Sequence, residues 1–374
     1  MTSKRVYTAE AWFHNPDAEE GTETMIILYA LAAVVLVLAA VCLFLHIRYS
    51  YVNRGLRFMG WLISVLTGYS SVKGLRRFAG MTNRFMPLLF RCEDRDMTMW
   101  RVVIAGRDGN ELPLVIYEPK VAQPDATGFL WIHGGGYAIG TPGGEKRFLK
   151  PFVSETNTVA VVPDYRLSVK EPYPAAFHDC CDALLWMKHH AEELGINENQ
   201  IFVGGASAGG ALTAAVTLYA RDSKEVDVAF QMPIYPMIND RMDTESMKGN
   251  REFLWDEKRN RAAWQQYLGD LYGTEKVPVY AAPARETNLC DLPPTYSFVG
   301  TLDPFYDETM QYIQVLQTCG VSAKCDVYEG AFHGFDVIPS KISTEARDRL
   351  LSEYKYAATH YETGHGRDKR DTLT

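Results

Sequence analysis

The residues with the clearest chemical potential are a serine, a histidine and an aspartate, each set in a short stretch of small neighbours. Ser207 stands at the centre of Gly205-Ala206-Ser207-Ala208-Gly209, directly after the apolar run Ile201–Val203 and directly before a helical pattern. A serine hydroxyl is a weak nucleophile until a base removes its proton. A sharp strand-to-helix turn lifts such a hydroxyl clear of a sheet, and small flanking residues are needed where backbone segments crowd together. His333, in Phe332-His333-Gly334-Phe335, is the candidate base, and Asp303, in Leu302-Asp303-Pro304, is the candidate acid that fixes its tautomer. The chain order Ser, Asp, His suits a nucleophile raised on a parallel sheet. Together they suggest acyl transfer through a tetrahedral oxyanion.

That oxyanion needs donors. His133-Gly134-Gly135-Gly136 ends the predicted strand Phe129–His133, and backbone N–H groups free of side chains can point at a developing negative charge. The candidate oxyanion residues are Gly134, Gly135 and Gly136, joined by Ala208 at the start of the helix after the nucleophile. A glycine turn of purely conformational use is the competing reading, weakened by its place at the end of a core strand. His133 is expected to shape this loop by hydrogen bonding. His178, His189 and His190 fall on a helix, and His46, His360 and His365 lie near the two ends. Asp307 and Glu308 are expected to be a solvated or helix-start pair.

The elements that position these residues read as α/β. Strands are expected at Trp100–Ile104, Leu112–Tyr117, Phe129–His133, Val159–Pro163, Ile201–Val203, Phe230–Tyr235, Tyr296–Val299 and Ala323–Tyr328. Helices are expected at Ala175–Leu194, Ala208–Ala220, Glu257–Leu271, Phe305–Thr318 and Ser343–His360. Asp108-Gly109 marks a hairpin turn between the first two strands. The later strands are short apolar runs separated by helices, as in a buried parallel sheet. The expected fold class is therefore α/β, a mostly parallel sheet with an antiparallel start, flanked by helices. The interval 239–288 contains no convincing strand and is expected to be a helical cap insertion, carrying Trp255 and Trp264. Tyr137, Trp255 and Trp264 are the candidate substrate-binding side chains, although packing explains aromatics equally well.

Met25 to Leu45 contains no charged residue; as a helix it would span about 31 Å, enough for a hydrocarbon core. A cleaved signal peptide would want a basic start and a shorter apolar core, and here an acidic leader (residues 1–24) precedes the run. A buried core helix is the other alternative. The expectation is a single-pass transmembrane helix over 25–46. Arg48, Arg54 and Arg57 follow it, whereas only Lys4 and Arg5 precede it, so the positive-inside tendency places the catalytic domain on the cytoplasmic side. Residues 47–91 mix apolar and basic side chains and are expected to form a helical cap or juxtamembrane segment. The catalytic unit is expected over 92–360, and 361–374 to be a polar tail.

Composition narrows the field. Of 374 residues, 47% are apolar and 22% charged, an ordinary globular balance, and the net charge of -8 offers no overall basic surface to nucleic acid. The 7 cysteines match no metal-ligand spacing, which points to structural thiols and a reducing surrounding. Neither a metal nor a cofactor is expected, and the oligomeric state is open.

These motifs together resemble the hormone-sensitive-lipase-like group of α/β hydrolases, which includes arylacetamide deacetylase and bacterial esterases. Further blocks in the same order are Asp164-Tyr165-Arg166-Leu167, Glu171-Pro172-Tyr173-Pro174-Ala175-Ala176 with Asp179, Tyr280-Ala281-Ala282-Pro283-Ala284-Arg285 and Leu292-Pro293-Pro294-Thr295-Tyr296. The resemblance covers roughly Phe129 to Phe335. It implies hydrolysis of carboxylic esters without metal or cofactor, under a helical cap. Ala206 departs from the pattern, since many members carry an acid or threonine before the nucleophile. Amide hydrolysis on the same triad is a second possibility, and a catalytically silent binding protein of the same fold is a third.

Overall fold

A computed structural model describes residues 16–89, 96–121 and 123–363. Its centre is an eight-stranded sheet of order β1-β2-β4-β3-β5-β6-β7-β8. The strands are β1 (Met97–Ala105), β2 (Glu111–Pro119), β3 (Ala126–Ile132), β4 (Thr158–Pro163), β5 (Ile196–Ala206), β6 (Phe230–Ile234), β7 (Thr295–Gly300) and β8 (Ala323–Tyr328). β1 and β2 form the expected hairpin, closed by Gly106 N–H donating to Asn110 O, and β2 runs antiparallel to β4. From β4 to β8 all pairings are parallel. β3 and β4 are buried along their whole length, which is why they read as continuous apolar runs rather than alternating ones.

Two apolar layers sandwich the sheet. On one side α5 (Ala175–His189), α6 (Ala208–Ser223) and α8 (Tyr306–Thr318) pack Leu184, Leu212, Val216 and Leu316 against Ile132, Val161 and Val203. On the other side α4 (Lys146–Glu155) and α9 (Lys341–His360) bury Phe152, Leu350 and Tyr354 against Phe129 and Phe202. Tyr354 stands 5.0 Å from the Phe129 ring and donates or accepts at Thr158 Oγ1 over 2.9 Å. α4 has no counterpart among the sequence expectations; Pro151 lies inside it and interrupts the pattern that would mark a helix.

The Asp-Tyr-Arg block and Asp179 meet. The Arg166 guanidinium reaches Asp179 Oδ1 at 2.8 Å, Asp108 at 2.6 Å and Glu171 at 2.7 Å, while its backbone N–H donates to Asp179 Oδ2 at 2.7 Å. Asp179 is fully buried on α5. The cluster ties the loop after β4 to that helix.

Helices outside the sandwich cover the end of the sheet where β3, β5, β7 and β8 finish. α2 (Arg57–Leu66) and α3 (Val72–Leu89) meet α7 (Glu257–Leu268), the single α-helix of 239–288. Arg76 Nε donates to Gln266 Oε1 at 2.6 Å, and Ser64 Oγ accepts from Leu254 N–H at 2.7 Å. Gly60 passes so close to Phe332 and Phe253 that an added Cβ would lie 2.4–2.9 Å from their rings. α1 (Pro16–Arg48) extends further toward the N-terminus than the expected 25–46, so 16–24 of the leader is helical and 1–15 lies outside the described residues. Met25–Arg48 of this helix is exposed along most of its length, with Leu45 buried near its end, and it is the one helix among the described residues long and apolar enough to cross a membrane. At the other end, Thr363 N–H donates to Asn199 O at 2.8 Å, so the start of the polar tail is fastened down; 364–374 lies outside the described residues. Cys180 and Cys181 are buried thiols of α5.

Breaking the Arg166 cluster should be costly because Asp179 is its fully buried carboxylate and binds both the guanidinium and the Arg166 backbone N–H, leaving only the more exposed Asp108 and Glu171. Asp179→Ala should lower unfolding free energy by about 3 kcal/mol, read by denaturant titration; a loss below about 1 kcal/mol would make the pair an ordinary surface bridge.

Candidate active site

The hydroxyl of Ser207 is presented by a backbone that few residues adopt. Its φ is 60° and ψ is -119°, a conformation strained for a side-chain-bearing residue. The turn is held from several sides: Ser207 N–H donates to Ile234 O at 2.9 Å, and Ser207 O accepts from Met237 N–H at 3.1 Å and Ala211 N–H at 3.0 Å. Gly209 packs directly on the end of β3, where an added Cβ would collide with the Ile132 carbonyl and lie 2.6 Å from His133 O. Only glycine permits that approach.

His333 lies in the loop after β8 and Asp303 in the loop after β7. His333 Nε2 is 2.8 Å from Ser207 Oγ, and His333 Nδ1 is 2.9 Å from Asp303 Oδ2. The other Asp303 oxygen accepts Phe305 N–H at 2.8 Å. Asp303 is fully buried, while Ser207 and His333 retain a little exposure toward a cavity. Tyr235 and Phe305 stand edge-on to the imidazole with ring centroids 4.9 and 4.8 Å away, fixing its plane. The three residues singled out from the sequence thus form one continuous hydrogen-bonded chain.

The glycine loop faces the same cavity: Gly134, Gly135 and Gly136 all line it. Gly135 has φ +113°, and an added Cβ would run into Ile139 O, so this loop geometry requires glycine there. None of the backbone N–H groups of Gly135, Gly136 and Ala208 donates to an acceptor among the described residues. His133 acts as expected of a loop-shaping residue: its Nδ1 is 2.8 Å from Gly134 O, and its ring stacks on Tyr165 at 4.2 Å. Burial lowers its pKa to about 4, so it is neutral.

The cavity over Ser207 has a volume of about 450 Å³. Ile63, Thr67, Tyr69, Phe78 and Met86 from the α2–α3 region form its outer wall, with Leu254 and Trp255 from the 239–288 interval. Trp255 is the one expected substrate-contacting aromatic that lines it, its indole N–H held by Asn260 Oδ1 at 3.1 Å. Tyr137 and Trp264 are corrections to the sequence reading. Tyr137 stacks on Tyr267 at 3.7 Å and donates to Met237 O, and Trp264 is fully buried beside them, so both serve the packing beneath the cavity. Asp307 and Glu308 both fall in the first turn of α8, as the helix-start alternative has it, but Glu308 is buried rather than solvated and accepts Ile238 N–H at 2.8 Å, and burial raises its carboxyl pKa well above the usual range. Asp307 instead accepts Ser246 N–H at 2.8 Å.

Two acids that the sequence reading did not select also line the cavity, Glu145 and Asp336. Asp336 lies three residues after His333, a spacing that carries no signal of its own; Glu145 lies in a Gly-rich turn with no motif around it.

Comparison with known proteins now bears on this geometry. The α/β hydrolase fold family matches residues 129–337. The chain is 32% identical over 260 residues to Esterase LipI of Mycobacterium tuberculosis, covering 67% of this chain and 80% of that protein. The chain belongs to this family. The solved structure of a bacterial heroin esterase is similar with a TM-score of 0.77 and 30% identity, covering 83% of this chain and 99% of that one. Brefeldin A esterase, described as a bacterial homologue of human hormone-sensitive lipase, shares the fold at a TM-score of 0.67 and 24% identity, covering 78% and 91%. The hormone-sensitive-lipase-like resemblance is thereby upheld, and the chain is a carboxylic ester hydrolase.

Two measurements test the site. Asp303→Asn should leave the fold intact and lower kcat by about 10⁴, because an amide in place of the carboxylate favours the wrong imidazole tautomer; near-normal turnover would move the acid's role elsewhere. Burial raises the Glu145 pKa to about 7 from 4.5, with the Asp336 charge adding to the rise. A raised carboxyl pKa favours folding of the protonated form, so Glu145 destabilises the fold progressively as pH climbs from about 4.5 to about 7. Glu145→Gln should therefore gain Tm relative to wild type across that window, as read by thermal unfolding at several pH values; a difference that does not change with pH contradicts the shift.

Proposed function

We propose that the protein is a serine carboxylesterase that works through an acyl-enzyme intermediate, and that α1 anchors it in a membrane. The observation that carries the reading is the unbroken chain from Asp303 Oδ2 through His333 to Ser207 Oγ. In this mechanism His333 Nε2 takes the Ser207 proton as Oγ attacks the ester carbonyl, and Asp303 stabilises the imidazolium. The N–H groups of Gly135, Gly136 and Ala208 hold the oxyanion, with Gly134 turning the loop into place, and the field at the start of α6 adds to them. His333 then protonates the departing alkoxide. Water, deprotonated by the same imidazole, attacks the acyl-serine and releases the acid.

The substrates proposed are short- to medium-chain or lipid-derived esters. A cavity of about 450 Å³ with an apolar outer wall accommodates such groups, and α2, α3 and the 239–288 interval act as the cap that closes over them. Anchoring rests on the apolar, largely exposed Met25–Arg48 helix. Arg48, Arg54 and Arg57 just after it, and Lys73, Arg76 and Arg77 farther on, favour a cytoplasmic catalytic unit. The cap sits immediately after the anchor, which would hold the cavity mouth near esters dissolved in the bilayer.

A chromogenic ester series from acetyl to long acyl chains, assayed with wild type and Ser207→Ala, tests this reading. Turnover should peak at short to medium chains and fall by about 10⁴ or more in the variant. Equal rates in both proteins would refute the nucleophile. In cells, removal of residues 1–46 should move activity from the membrane to the soluble fraction; truncated protein that stays membrane-bound would assign attachment to α2 and α3.

A further inference from the structure

The cavity over Ser207 is charged at one end and on one sign only. Glu145 and Asp336 line it, and among the described residues no lysine or arginine does. Glu145 Oε2 accepts the Trp131 indole N–H at 2.7 Å, and Asp336 Oδ1 accepts the Tyr235 hydroxyl at 2.8 Å. Glu145 Oε1 and Asp336 Oδ2 are left without a donor from any other described residue, although Asp336 is 95% buried by virtue of a relative exposure of only 5%. Arg347 donates to the Asp336 backbone carbonyl at 2.9 Å and, with Arg147, lines a neighbouring cavity that Asp336 also borders.

Aromatic side chains line the cavity together with these carboxyls. Trp131 stacks on Phe148 with centroids 4.3 Å apart, and Tyr235 meets Phe298 edge-on at 5.3 Å; all four line the cavity. Burial raises the pKa of both acids despite the Trp131 and Tyr235 donors, so each ionised form is only partly compensated. An aromatic wall attracts a cation through its ring faces, and a carboxylate in low dielectric attracts it more strongly still. A cation at this point would satisfy both acids at once. An anionic group would meet two like charges and no donor side chain of opposite sign.

We propose that this end of the cavity is a subsite for a cationic group, so that the preferred esters carry a quaternary or protonated amine. The inference rests on the serine-esterase reading of the same cavity and names its substrate class. The cation can belong to the alcohol or to the acyl part of the ester. Selection works through binding: the positive group seats between Glu145, Asp336 and the aromatic rings while the carbonyl reaches Ser207.

The test uses pairs of esters matched in shape and differing in charge. In the alcohol arm, butyrylcholine is compared with 3,3-dimethylbutyl butyrate. In the acyl arm, ethyl 4-(trimethylammonio)butanoate is compared with ethyl 5,5-dimethylhexanoate. The full-length protein is assayed at a mildly alkaline pH as wild type, Glu145→Gln and Asp336→Asn. Glu145→Gln retains an acceptor for Trp131, which guards its fold. In at least one arm the wild-type kcat/KM should favour the cation by about tenfold or more, and each substitution should cut that ratio by at least about fivefold. A ratio at or below unity in both arms overturns the proposal, as does a ratio unmoved by both substitutions. Calorimetric binding of the intact esters to Ser207→Ala reads the same preference without turnover. If wild type hydrolyses none of the esters, the serine-esterase reading fails. The binding ratio then decides the cation subsite separately, with equal affinities for the charged and neutral partners ruling it out.

Discussion

The close approach of Gly209 to the end of β3 is the contact on which the arrangement of the site depends. It brings the first turn of α6 against the Ile132 and His133 carbonyls, with no room for a side chain. β5 and β3 are neighbouring parallel strands, so the same contact sets the Ser207 turn beside the His133–Gly136 loop. A nucleophile and a set of unpaired N–H groups thereby come to one point from segments some 70 residues apart in the chain. The strained φ at Ser207 persists because the hydrogen bonds to Ile234, Met237 and Ala211 over-determine it.

The parallel order of the sheet extends this logic outward. β3, β5, β7 and β8 all finish at one edge, so the loops carrying the glycines, Ser207, Asp303 and His333 share a face. Packing then refines what topology permits. Tyr235 and Phe305 set the imidazole plane, and Glu308, buried behind the site, fastens the chain at Ile238. Because β6 feeds directly into that stretch, the residue after Ser207's own hydrogen-bond partner is also held.

The helices from the N-terminal region give the cavity its outer wall. Ile63, Tyr69, Phe78 and Met86 meet Trp255 and Leu254 from a segment nearly two hundred residues later. The wall is apolar where the N-terminal helices build it and acidic where Glu145 and Asp336 close the inner end. Such a division lets one cavity combine apolar burial with a charge preference, two forces with different distance dependence and different sensitivity to salt.

The fold class, the eight strands along the chain and the identity of the three hydrogen-bonded residues are legible in the sequence. These features are local: a glycine-flanked serine between strand and helix patterns, and loops that begin where apolar runs stop. Which aromatics face the cavity is set by the three-dimensional packing, since Trp255 and Trp264 lie in the same interval and only packing turns one toward Ser207 and the other into the core. It likewise decided that Glu308 is buried, that Pro151 is accommodated in α4, and that Glu145 and Asp336 share one cavity. No spacing rule joins residues so distant in the chain. Their meeting follows from how layers of helix pack on a twisted sheet, a long-range property that a one-dimensional pattern does not encode residue by residue.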